Sequence, residues 1–218
     1  MDILSLTLYI VLAPLFGGLL AGVDRRITAR LQGRFGPPIL QPFYDVAKLF
    51  CKETLVVRHT QTVYIIFFVV FMVFTGGIFY LGGDLLLVIF SMMLANTFLI
   101  LAGYRGSSPY STVGTERELL QMMAYEPMVL FYVVAIYMAS KTFYVGQIAT
   151  TSHPMLIKSL PGVFLGFVYV LTIKLRKSPF DLSTSHHGHQ EIVKGITTEY
   201  TGPSLALIEI SHWYENIL

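Results

Sequence analysis

Cysteine and charge are what this sequence has least of. Cys51 is the only cysteine in 218 residues, so no disulfide framework can form within the chain. Nor is there a set of thiolates to ligate an iron-sulfur cluster. Charged residues make up 13% of the chain, well below the roughly one quarter usual in soluble globular domains. Histidine is nearly absent from the apolar stretches: His212 alone falls inside one, whereas a transmembrane b-type haem wants paired histidines on facing helices. Electrons are therefore not expected to travel through this chain, and any redox chemistry is expected to belong to a partner. Internal repeats, low-complexity tracts and a soluble domain are also missing. The expected organisation is a single membrane domain over residues 1–218.

What is present in excess is apolar surface, with hydrophobic residues at 54%. A hydrocarbon core of about 30 Å is crossed by about 20 residues of helix. Five stretches meet that length, near residues 3–23, 61–82, 85–104, 119–139 and 156–175. A sixth begins near Pro203 and reaches only Leu218, which reads as an incomplete span. The fold class is thus all-α, a polytopic transmembrane helix bundle. The first stretch outruns the apolar core of a signal peptide and lacks a basic leader and a small-residue cleavage site, so it is expected to be a retained helix. Formal net charge is only +2, which gives no reason to expect nucleic acid as a partner. Its distribution says more. With the N-terminus outside, every Lys and Arg except Lys141 and Lys158 falls at or near the loops 24–60, 105–118 and 176–202, which the positive-inside rule then makes cytoplasmic.

Local signals divide the chain further. Pro14, Gly17 and Gly18 interrupt the first segment as close helix packing tolerates. In the basic loop 24–60, Pro42 suits the first turn of a helix. Phe43, Val46, Ala47 and Phe50 then recur at helical spacing, as in a short helix lying in the membrane interface. Asp84 after Gly82 and Gly83 reads as a helix cap at an external turn. Asn96 and Thr97, mid-span, are expected to make interhelical hydrogen bonds. Glu116, Arg117 and Glu118 are expected to open the fourth span, where a helix N-terminus favours acids; Arg117 is left without a role by that reading.

Chemistry concentrates where the membrane makes charge expensive. An ionised group near the bilayer centre costs at least about 2.5 kcal/mol, so an intramembrane acid is a functional hypothesis. Glu126 is the clearest case. Pro127 after it removes the hydrogen bond that the Met123 carbonyl would have received, leaving a water site beside a carboxyl group. The alternative is a neutral or paired acid that only packs the bundle. In the sixth segment Glu209, His212 and Glu215 recur every three residues and form a polar stripe on an apolar helix. Counted from the helix starts, this stripe and Glu126 lie at similar depth, the arrangement expected of a proton relay. Asp181, His186, His187, His189, Glu191, Lys194 and Glu199 crowd the loop at its mouth. The three histidines could ligate a metal, but no second spaced cluster supports that, and proton collection or fixing of the loop against a partner is preferred. Arg34 suits either an anionic lipid headgroup or a partner-facing turn.

The ordered motifs GRFGPPILQPFYDVAKLFCKE at 33–53, ERELLQMMAYEP at 116–127, PFDL at 179–182 and TEYTG at 198–202 give the chain a family resemblance. It resembles the membrane subunit shared by respiratory complex I and energy-converting membrane-bound [NiFe] hydrogenases. The longer stretch STSHHGHQ after PFDL, ALIEISHWYE at 206–215 and the short basic loop are similar to the Ech-type hydrogenase branch rather than the quinone branch. The resemblance implies about eight helices in a full chain. It implies that Glu126, Glu191 and Glu199 are acids of a proton path, with Glu209, His212 and Glu215 beside it. Asp181, Arg34, Glu53, Arg117, Glu118 and the loop histidines would serve coupling or partner docking. No cofactor is implied in this chain: soluble large and small hydrogenase subunits and an iron-sulfur subunit would carry the [NiFe] centre and [4Fe-4S] clusters. Reduced ferredoxin would donate electrons, and an antiporter-like membrane subunit would complete the path of H⁺ or Na⁺. The setting implied is a prokaryotic cytoplasmic membrane.

Overall fold

A computed structural model of the chain describes residues 2–53, 59–150, 161–176, 180–183 and 194–218. Among them the order is α1 (Asp2–Leu31), α2 (Gln41–Phe50), α3 (His59–Tyr80), α4 (Leu85–Tyr104), α5 (Pro109–Ser140), the short α6 (Val145–Thr150), α7 (Pro161–Lys174), a 3-10 turn (Gly195–Thr197) and α8 (Pro203–Glu215). Stretches of α1, α3, α4 and α5 are long and apolar enough to cross a membrane; α7 is apolar but shorter. The bundle is all-helical, as its apolar runs require.

The helix starts follow local chemistry. Asp84 caps α4, its Oδ1 accepting from the Leu86 N–H at 2.8 Å, so the acid satisfies a backbone donor that the first helical turn leaves free. Pro109 sits in the first turn of α5 after Ser108, and Pro203 in that of α8 after Gly202, positions where a missing N–H costs nothing.

α3 and α4 pack as an antiparallel hairpin, and α8 lies against α1, α2 and α3. Their shared core buries Phe68, Ile65, Met72, Leu99 and Ile208. Gly17 lets α1 and α8 meet: a Cβ there would sit 2.1 Å from the Trp213 carbonyl oxygen. The outward faces of the long helices remain apolar and exposed, for example Phe131 and Met138 on α5 and Leu165 on α7, as lipid contact requires.

Three expectations need correction. The first span does not stop at residue 23, because α1 runs on to Leu31. The stretch DRRITARL holds no Pro or Gly, and Arg25 is anchored to Asp45 of α2 at 3.0 Å. The fourth span does not open at Glu116, because α5 starts at Pro109. Glu116, Arg117 and Glu118 are therefore interior helix residues, and macrodipole attraction at an N-terminus does not account for them. Thr97 does not bond between helices; its Oγ1 donates to the Met93 carbonyl one turn back in α4. The short helix expected in the basic loop is present as α2. It buries Pro42 and Val46, and Phe43 packs on Trp213 of α8 with ring centroids 5.0 Å apart.

Candidate functional site

The site grows inside the bundle, where α5, the end of α7 and α8 meet. Glu118 is buried in α5, three turns from its start, and Oε1 accepts from the Arg176 guanidinium at 2.7 Å. Arg176 follows α7 and reaches across to α8, where a second guanidinium nitrogen stands 3.0 Å from His212 Nε2. His212 in turn holds Glu215 Oε2 through Nδ1 at 3.1 Å, one turn along α8. Four ionisable groups from three elements thus form one chain of contacts. The Arg176 and Glu118 side chains are only 16% and 9% exposed. Burial alone would weaken the charge on Arg176, but Glu118 and then Glu215 outweigh it and raise the guanidinium above its ordinary range. Glu118 Oε2 keeps no protein partner among the described residues.

Deeper in α5, Tyr125 is buried, and its hydroxyl accepts from Asn96 Nδ2 of α4 at 3.4 Å, the interhelical bond expected of Asn96. Glu126, next in sequence, turns a buried Oε1 into the protein without a hydrogen-bond partner among the described residues. Lys174 ends α7 half-buried, its ammonium directed at Met92 Sδ of α4. Beside these groups lies a cavity of about 1030 Å³ whose walls include Val88, Val133 and Phe167 and whose polar margin holds Lys174, Arg176, His212 and Glu215.

The loop after α7 is tied to α5. Gln121 Nε2 donates to the Phe180 carbonyl at 2.7 Å, and Arg117 donates to the Leu182 carbonyl at 3.5 Å. Arg117 thereby gains the role the sequence left open. A Cβ on Gly114 would lie 2.4 Å from the Ile196 backbone nitrogen, so only glycine lets the 3-10 turn seat against α5. That seating delivers Glu199 to the α5 N-terminus. Its Oε1 accepts from the Ser107 N–H at 2.7 Å and from the Ser108 N–H, and its Oε2 accepts from Gln61 of α3 at 3.1 Å. Next to it, burial and then Glu199 itself push the Tyr200 phenol above its ordinary range.

Of the residues singled out in the sequence, the structure gathers Glu118, His212 and Glu215 directly, and places Glu126 two turns beyond Glu118. Glu209 is half-buried on α8 and makes no side-chain hydrogen bond among the described residues. Glu199 stands apart, at the far end of about 15 Å of helix from Glu118. Arg34 is exposed and bonded to Gln32, and Glu53 is exposed. Asp181 belongs to the segment that α5 holds. His186, His187, His189 and Glu191 lie outside the described residues. Lys174 and Arg176 were missed. Their signal was present, two cations bracketing the end of an apolar run, but the positive-inside pattern had absorbed them.

A lipid-facing helix bundle with a buried ionic chain inside it fits a polytopic membrane subunit of the kind shared by respiratory complex I and membrane-bound hydrogenases. The chain belongs to the NADH dehydrogenase family, which it matches over residues 3–218. It is 30% identical over 212 residues to Hydrogenase-4 component C of Escherichia coli (strain K12), covering 91% of this chain and 65% of that protein. NADH-ubiquinone oxidoreductase chain 1 of Pongo pygmaeus is 28% identical over 236 residues, covering 100% of this chain and 72% of its own length. Among solved structures, a chain of the membrane-bound sulfane sulfur reductase (MBS), an archaeal respiratory membrane complex, superposes with a TM-score of 0.86 at 28% identity. That match covers 97% of this chain and 73% of the other. The chain thus spans about two thirds of the length of such relatives.

Proposed function

We propose that this chain is the membrane-embedded coupling and anchoring subunit of a complex I-like oxidoreductase, in the branch of energy-converting [NiFe] hydrogenases. The observation that carries the reading is the buried chain Glu118, Arg176, His212, Glu215, with the unpartnered Glu126 carboxyl about 12 Å further along α5. Charges are buried at such cost only when paired, and this pairing is tied by α5 to the loop that would face soluble partners. In the proposed mechanism, electron transfer in those partners changes the charge at the loop 176–202. The Arg176 guanidinium answers by shifting between Glu118 and His212. A proton then moves between His212 Nδ1 and Glu215, and ion exchange follows at Glu126. Hydrogenase large and small subunits and an iron-sulfur subunit would hold the [NiFe] centre and [4Fe-4S] clusters, with reduced ferredoxin as donor and protons as acceptor. An antiporter-like subunit would finish the path of H⁺ or Na⁺ across a prokaryotic inner membrane, with the N-terminus of this chain outside. The 30% identity to Hydrogenase-4 component C supports this branch.

A second reading, a quinone-site subunit, is supported by the relatives named NADH-ubiquinone oxidoreductase chain 1, which match this chain from end to end. One experiment separates the two. The intact complex is purified in gentle detergent and assayed for ferredoxin-dependent hydrogen evolution and for bound quinone. Hydrogen evolution without quinone is expected, and Glu126→Gln should then abolish ion movement in proteoliposomes. Bound quinone with no hydrogen evolution would move the chain to the other branch.

A further inference from the structure

Past Asp24, α1 leaves its apolar run but keeps an apolar face. Phe16, Leu20, Val23, Ile27 and Leu31 are all exposed, and at about 100° per residue they fall within about 80° of one another around the helix axis. One stripe therefore runs from the membrane span into the extension DRRITARL, where Leu31 is still 84% exposed. Arg30 and Arg26 stand on one flank of the stripe, about 20° and about 60° beyond its edge. The chain after α1 folds back against that flank. A Cβ on Gly22 would strike the Ile39 carbonyl, and one on Gly36 would press on Ala29 and on the Arg26 backbone, so two glycines admit the return. Between α1 and Ile39 this leaves a groove of about 440 Å³, walled by Val23, Ile27 and Leu31 together with Arg26 and Arg30.

The neighbouring arginines are committed, Arg25 to Asp45 and Arg34 to Gln32. Arg26 and Arg30 make no ion pair or side-chain hydrogen bond among the described residues. They lie one turn apart, a spacing at which like charges disfavour a helix. No carboxylate lines the groove to offset them, and Asp24 lines the larger cavity instead. Two unpaired guanidiniums beside an apolar trough, where a span leaves the hydrocarbon, match a ligand with a phosphate head and a hydrocarbon tail. A zwitterionic headgroup would bring an ammonium for which the groove holds no acid. A soluble partner would meet only the top of a stripe that continues down α1 into the span.

We propose that this groove binds an anionic phospholipid, its phosphate held between Arg26 and Arg30 and one acyl chain lying along Ile27 and Val23 toward Leu20 and Phe16. The planar fork of each guanidinium suits phosphate oxygens, and the shared anion relieves the repulsion between the two. Bound there, the lipid pins the depth of α1 in the bilayer and, through the close contacts at Gly22 and Gly36, steadies the turn that leads into α2. The inference holds for either oxidoreductase branch, because it uses no residue of the ionic chain.

The test titrates the intact complex, purified in gentle detergent, with radiolabelled dioleoyl phosphatidylglycerol, using dioleoyl phosphatidylcholine as the zwitterionic control. Binding is read as the difference between the wild type and the Arg26→Gln, Arg30→Gln double variant, which removes lipid held elsewhere in the complex. A saturable difference for phosphatidylglycerol and none for phosphatidylcholine is expected. Each single Arg→Gln variant should weaken phosphatidylglycerol binding about fivefold, and the double variant more. Lys48→Gln, which removes an exposed cation from α2 at the same end, should leave it unchanged. Ile27→Ser should weaken binding with both arginines in place, and glycerol 3-phosphate should fail to compete, because the tail is part of the ligand. Equal binding of the two lipids overturns the proposal, as does a double variant that binds phosphatidylglycerol like the wild type. A loss in Lys48→Gln as large as in the arginine variants would reduce the effect to general surface charge and overturn it too. Loss of soluble subunits from the double variant with lipid binding intact would make the groove a protein interface. Should the double variant fail to assemble, each single variant and Ile27→Ser decide against the wild type in the same way.

Discussion

At the scale of single residues, Arg176 decides whether the ionic chain exists. It is the link between α5 and α8, and Glu118 has no other cationic partner among the described residues to fall back on. Removing one member of a buried pair strands the other, which costs about 3 to 5 kcal/mol. Arg176→Met should therefore destabilise the chain by that order in thermal unfolding in detergent. The double variant Arg176→Met, Glu118→Gln should lose less than Arg176→Met alone, because no charge is then left buried without a partner. A loss below about 1 kcal/mol in Arg176→Met would put the pair in the class of exposed salt bridges and remove the main support for the site. Glu199 illustrates a different use of an acid. The resemblance placed it on a proton path, whereas its contacts to Ser107 and Ser108 show it satisfying backbone donors where α5 begins. The two roles are compatible, since such a carboxylate also ties the last loop to the helix that carries Glu118 and Glu126.

At the scale of elements, the 3-10 turn Gly195–Thr197 is the clamp that positions this loop, and Gly114 is what admits it. Gly114→Ala would drive a methyl group into the Ile196 backbone. Overpacking of this kind costs about 1 to 3 kcal/mol. The expected outcome is a lower midpoint of thermal unfolding together with faster proteolysis within residues 194–202, while α3 and α4 stay protected. Unchanged proteolysis would mean that the turn is held by something other than its seat on α5. The sequence made the long helices legible, because membrane spans announce themselves by hydropathy and Asp84 announces its cap by its place after two glycines. It hid their ends. Charged residues in both α1 and α5 have the signature of loop, since apolar length ends at the first charge, while helix geometry continues until Pro or Gly or solvent ends it. Arg176 and Lys174 were obscured for the same reason: cations at a span boundary satisfy a statistical rule so well that a specific pairing is not sought. The contacts among α5, α7 and α8 are long-range and leave no periodic mark. Of that cluster only the spacing of His212 and Glu215 was visible in advance, together with the cost of burying Glu126.

At the scale of the whole molecule, every part of the functional proposal depends on which side of the membrane the basic end faces. Arg25, Arg26, Arg30 and Arg105 fall at that end, where partners would dock. If it faces the cytoplasm, the lone cysteine provides a test that needs no substitution. Cys51 follows α2 at the basic end and is exposed, so its thiol can react as thiolate with a membrane-impermeant maleimide. Labelling is expected in inverted vesicles and absent in intact right-side-out ones. The converse reporter is Ala149→Cys in a Cys51→Ser background, since Ala149 is exposed in α6 at the opposite end. It should label from outside only. The reversed pattern in both reporters would turn the bundle over and leave reduced ferredoxin on the wrong side of the membrane from the loops that are proposed to receive its complex. Labelling of both reporters from both sides would instead mark leaky vesicles. Orientation therefore constrains mechanism before any assay of turnover, because a path that begins at Arg176 and passes Glu126 can only carry ions away from the face on which the basic end lies or back toward it.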